Sequence, residues 1–123
     1  MLTLVEFEEL VAQALDELPE FFQSKISNVE VLVQQWPSQR ELRETGVPPG
    51  HTLLGLYRGI PITERTHNYA LVPPDTITLY QRPIEQAAGR QDKVMEVVRH
   101  TVIHEMAHHC GIRDDRLREL GAY

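Results

Sequence analysis

His104-Glu105-Met106-Ala107-His108-His109-Cys110-Gly111-Ile112-Arg113-Asp114 reads H-E-x-x-H-x-x-G-x-x-D. On a helix, residues four apart share one face, so His104 and His108 can direct both imidazoles at a single metal ion. Glu105 lies about 100° further round, near enough to reach a metal-bound water without being a ligand. Gly111 suits a helix end, where the chain must turn back. That turn brings Asp114 round as the third candidate ligand. Three protein ligands and an open fourth position describe a catalytic zinc site; structural sites close all four. The bland alternative is a helix end whose histidines answer the helix dipole. It explains neither Glu105 nor the Gly-x-x-Asp continuation.

The neighbours of the motif have competing readings. His100 precedes His104 by one turn and is either a packed or capping residue or a partner that orients the ligand. His109 lies off the ligand stripe and is expected to face solvent or a local hydrogen-bond partner. Cys110 is expected to face the core, away from the His104/His108 stripe. Asp115 is the alternative to Asp114 as third ligand. Tyr80, Arg82 and His67 are conceivable substrate contacts, and packing explains each equally well.

The whole chain limits what this site serves. Its 123 residues fit one domain, residues 1–123, with a core of its own. A net charge of −6 argues against a nucleic-acid partner, which needs clustered cations. One cysteine excludes an internal disulfide. The first twenty residues carry Glu6, Glu8, Glu9, Asp16 and Glu17 and no basic leader, and no apolar run approaches a membrane span. The expectation is a cytoplasmic protein.

Working outward from the motif, Val94, Val97, Val98, Thr101 and Val102 give the buried face of a helix running from about Arg90 to Cys110. Residues 114 to 120 suggest a short final helix. At the other end, Leu4, Phe7, Val11, Ala14 and Leu18 recur at helical spacing, with Thr3 and Glu6 as a capping box and Pro19 as the stop. Glu20 to Lys25 can add a further turn. Alternating Val29, Val31 and Val33 mark a strand within Asn28 to Gln35. Ser38 and Glu41 suggest a second capping box, opening a short helix that closes at Gly46. Further strands are expected at Leu53 to Tyr57, weakly at Thr66 to Val72, and around Ile77 and Leu79, where Pro83 demotes the far end to an edge or an exit. A small mixed sheet with a long helix on one face is the natural architecture.

The chain resembles the small bacterial zincin-like metallopeptidases, sometimes described as minimal zincins. Besides residues 104–114, Gly55-Leu56-Tyr57-Arg58-Gly59-Ile60-Pro61-Ile62-Thr63-Glu64-Arg65 is similar to that family's strand and turn before the active helix. Asp75-Thr76-Ile77-Thr78-Leu79-Tyr80, with Pro83 beyond it, is similar to the next strand. The resemblance implies an α+β zincin-like fold, with a small mixed sheet packed on a long active-site helix and with N-terminal and short C-terminal helices. It implies one zinc ion held by His104, His108 and Asp114, with Glu105 as general base. Longer zincins carry a methionine-containing turn after the third ligand. The nine residues following Asp114 contain no methionine, so the expected substrates are short or unstructured peptides.

The chemistry expected from these residues is peptide-bond hydrolysis by metal-activated water, with Glu105 taking the proton. An extended peptide is expected to pair with the Thr76 to Gln81 strand if that strand is the sheet's exposed edge. Two other classes share the metal residues. One is a zinc-binding module with a structural, sensing or partner-binding role; the other is a hydrolase of non-peptide amides. Glu105 favours an enzyme over the binding module, because a purely structural site needs no general base.

Overall fold

The computed structural model of the protein describes residues 2–59, 74–110, 116 and 119. Helix α1 spans Leu4–Asp16 and α2 spans Glu20–Ile26. Strand β1 is Val29–Gln34, helix α3 Gln39–Glu44 and strand β2 Gly55–Arg58. Strand β3, Asp75–Tyr80, leads directly into α4, Gln81–Ala88. A 3₁₀ turn at Gln91–Lys93 then opens the long helix α5, Val94–Cys110.

Both capping boxes form. The Thr3 hydroxyl accepts from the Glu6 amide and the Glu6 carboxylate accepts from the Thr3 amide; Ser38 and Glu41 repeat the exchange at α3. Each box satisfies amides that a helix start leaves without carbonyl partners. The chain leaves α3 through Gly46, whose φ of 71° is a backbone state that a side chain would oppose.

Among the described residues the sheet has three strands in the order β1-β3-β2. β1 runs parallel to β3, with Val31 opposite Ile77, and β2 runs antiparallel to it, with Tyr57 opposite Ile77. β3 is therefore the middle strand, and its last four residues are buried on both faces. This corrects the expectation that Thr76 to Gln81 offers an open edge to a peptide. Of its two readings, Pro83 marks the strand's exit and not an edge. It stands at the third position of α4, where a helix has no intrahelical use for the missing N–H. The weakly signalled strand at Thr66 to Val72 lies outside the described residues. So does most of the expected C-terminal helix, of which Arg116 and Glu119 are helical and ion-paired at 2.7 Å.

One core joins the two ends of the chain. Phe7, Val11 and Ala14 of α1 pack with Leu18, Phe22, Ile77, Leu79 and the α5 stripe of Val94, Val98, Val102, Ile103, Met106 and Ala107. Val97 is only partly buried, and Leu4 is 44% exposed, so the stripe of α1 begins at Phe7. Cys110 is exposed, contrary to expectation. It continues the line of the buried Ile103 and Ala107, but it stands in the last turn of α5, where His108, His109 and Cys110 are all exposed. No helix among the described residues is long and apolar enough to cross a membrane.

β2 lies along α5 in matched steps. Two strand residues advance about 6.6 Å and four helix residues about 6 Å, so alternate strand positions can meet successive helix turns. Gly55 meets Thr101, the Tyr57 amide meets Glu105, and Gly59 meets His109. A Cβ at Gly55 would stand 2.8 Å from the Thr101 methyl and 3.3 Å from the Thr78 carbonyl oxygen. Thr101 is held by its own hydroxyl, which donates to the Val97 carbonyl at 2.7 Å. Gly55→Ala is thus expected to destabilise the fold by about 1–3 kcal/mol in urea unfolding, an overpacking cost. Adding Thr101→Ser, which removes the methyl, should recover most of it. Wild-type stability in the single variant would show that strand and helix do not approach this closely.

Candidate metal centre

The C-terminal half of α5 carries the motif, and burial of the Val98, Val102 and Met106 face fixes the helix beneath β2 and β3. His104 is half-buried and His108 exposed. Their rings stand nearly perpendicular, at 87°, with centroids 6.0 Å apart. Two imidazoles on one zinc ion, bonded at about 2.1 Å, bring their ring centres within about 6 Å. The observed separation fits that span. His100, exposed one turn earlier, lays its ring against His104 at 4.1 Å and 34°, which restricts how the His104 ring can turn. Of the two readings of His100, this contact favours a partner that orients the candidate ligand.

Asp114, Asp115 and Gly111 lie outside the described residues. Among the described residues no group of three His, Cys, Asp or Glu side chains is placed to hold a metal ion. The structure thus brings together two of the expected ligands and the expected base. The donor chemistry of the two imidazoles suits zinc.

Glu105 is half-buried, and its Oε1 accepts the Tyr57 N–H at 3.2 Å. Burial pushes its carboxyl above the ordinary value of 4.5, because the charged form loses water; the Tyr57 amide and the charge of His108 pull the other way. The donor comes from the outer side of β2. Leu54 accepts from the Tyr80 amide in the ladder with β3, so the alternate residues 55, 57 and 59 turn their amides away from β3. Sequence reasoning missed Tyr57. Its only signal was the Gly-x-Tyr-x-Gly spacing of residues 55–59.

Around Tyr57 the structure gathers a second set of groups. The phenol donates to Asp75 Oδ2 at 2.7 Å, and the ring stacks on His109 at 4.0 Å and 19°. His109 Nε2 stands 3.8 Å from the same Asp75 oxygen. His109 is partly solvent-facing, at 44% exposed, and its neighbours are strand residues distant in the chain rather than a local hydrogen-bond partner.

Of the remaining candidates, Tyr80 and Arg82 resolve into packing. Tyr80 is fully buried and donates its hydroxyl to Glu41 at 2.7 Å; burial and that carboxylate both push its pKa upward. Arg82 pairs with Glu85 at 2.7 Å and reaches the Leu2 carbonyl. It lines a cavity of ≈ 250 Å³ with Leu2, Trp36 and Val94 at the opposite end of α5, remote from the motif. His67 lies outside the described residues.

Comparison with known proteins agrees with this helix-and-sheet arrangement. The chain belongs to the zincin-like metallopeptidase family, whose model matches residues 26–122. Among solved structures it is similar to a conserved hypothetical protein from Thermo thermophilus. The two share 26% identity over 89% of this chain and 94% of that one, with a TM-score of 0.57. No curated protein matches the chain.

Proposed function

We propose that this chain is a zinc-dependent peptidase that hydrolyses short or unstructured peptides in the cytoplasm. The observation that carries the reading is Glu105: a half-buried carboxyl with a raised pKa beside His104 and His108. A site kept only for folding has no use for such a group. His104, His108 and Asp114 would hold the ion. When bound, zinc would supply Lewis acidity toward a carbonyl and a lowered pKa for water. Glu105 accepts a proton from the attacking water and returns it to the leaving amine, a role that burial favours by raising the carboxyl's pKa. Its oxygen is aimed by the Tyr57 amide. β2 rather than β3 is the strand beside the site, and its outward Tyr57 N–H is already given to Glu105.

The test is a cleavage screen. Zinc-loaded protein is incubated with a diverse peptide mixture, and new termini are identified by mass spectrometry beside a Glu105→Ala control. New termini with the wild type alone are expected. If both proteins bind one zinc ion and neither cuts anything, the peptidase reading falls and the binding-module reading replaces it.

A further inference from the structure

We propose that His109 is a positioning residue. Stacked on Tyr57 and seated against Gly59, it sets the register of β2 along α5 and so holds the Tyr57 N–H on the Glu105 carboxylate. This deepens the peptidase reading and rests on it where turnover is concerned.

Three contacts converge on the His109 ring. Its face lies on the Tyr57 ring at 4.0 Å. Its Nε2 faces Asp75, the carboxylate that also takes the Tyr57 hydroxyl. Its Cε1 stands 2.7 Å from where a Cβ at Gly59 would sit. Two strands and the last turn of α5 therefore meet at one imidazole. Burial of apolar surface is not what keeps it there, because the side chain is 44% exposed.

Register matters because the contact it protects is a single backbone donor. The odd positions of β2 turn their amides away from β3, which puts the Tyr57 N–H on Glu105, and a slip of one residue would turn that N–H back toward β3. A slip of two would carry Tyr57 a full helix turn away from Glu105. The Gly55–Thr101 contact is a close approach without a side chain on the strand, so it permits the register without selecting it. The Tyr57–His109 stack supplies the selection. It stands on the residue after His108, so the turn that presents a candidate ligand also fixes the strand that aims the base.

The test reads the Tyr57 amide directly, by hydrogen exchange in the metal-free protein, and needs no substrate. His109→Ala is expected to speed its exchange about tenfold or more, and Glu105→Ala to do the same. The double variant should be no faster than either single, because both act on one contact. His109→Phe, which keeps a flat ring on Tyr57, should restore protection. Amides of the β1–β3 ladder should keep wild-type rates throughout. On a substrate recovered from the cleavage screen, His109→Ala should lower kcat about tenfold with KM and zinc affinity unchanged.

The proposal is overturned by wild-type exchange at Tyr57 in His109→Ala. It is equally overturned by multiplicative effects in the double variant, by protection lost across the whole ladder, by failure of His109→Phe to rescue, or by an unchanged kcat. If the wild type cleaves nothing, the peptidase reading fails, and the exchange measurements still decide the role of His109.

Discussion

Glu105→Gln should lose hydrolysis, keep its zinc and make the metal-free fold more stable. The amide retains an oxygen for the Tyr57 N–H, so the side chain can stay where it is. It cannot take a proton, and the expected loss of turnover is about 10²–10⁴-fold, the usual contribution of a positioned base. The stability change follows from the raised carboxyl pKa, whose main cause is burial. Well below the ordinary value of 4.5 the carboxyl is protonated in folded and unfolded chains alike, and wild type carries no ionisation penalty. As the pH rises through that value the unfolded chain ionises first, and wild-type stability falls until the folded carboxyl ionises too. Glutamine has no such dependence. The unfolding midpoint of the variant should therefore pull ahead of wild type through the weakly acidic range and stay ahead at neutral pH. Thermal unfolding of both proteins from about pH 4 to pH 8 checks this. A variant less stable than wild type at neutral pH would mean that burial does not dominate at Glu105.

Removal of either motif histidine should cost more than about a hundredfold in zinc affinity, beyond what loss of a merely supporting partner costs. His108→Ala is the cleaner of the two, since the side chain is exposed and its loss opens no cavity. His104→Ala also frees the His100 ring that rests on it, so unfolding should be monitored in parallel. Asp114→Ala should match the histidine variants and Asp115→Ala should bind as wild type does. A chelator competition titration measures all four. Full affinity in either histidine variant would end the metal assignment.

What the sequence revealed, and what it concealed, divides by the range of the interactions. Both capping boxes and the Gly46 stop were legible because each is settled within a few residues. The core stripe of α5 was legible from its period. The order of the strands was not, since alternation in Asp75–Tyr80 is the same whether that strand is an edge or the centre; pairing partners far away in the chain decide it. Helix α4 was missed although Pro83 in its first turn and Gly89 at its end, with φ of 73°, carry the usual asymmetry of a helix start and stop. The strand signal before it drew the reading of Pro83 the other way. Cys110 was misplaced because helical angle predicts a direction but not whether a residue there is covered. His104, His108 and Glu105 were named from spacing, and Asp114 from spacing with the family resemblance, whereas the donor aimed at Glu105 was invisible. It is a main-chain N–H, and no residue type announces it.

The parallel pairing of β1 with β3 has a kinetic consequence. Residues 35 to 74 separate the two strands, and β2, the other partner of β3, lies within that stretch. Capped helices such as α1 can form on the microsecond scale, but a sheet closed across such a loop must meet a chain-entropy cost before its contacts offset it. The motif helix can thus exist before Tyr57 has arrived beside it. The speed at which a competent site is assembled is set by the closing of the sheet, not by the helix that bears the histidines.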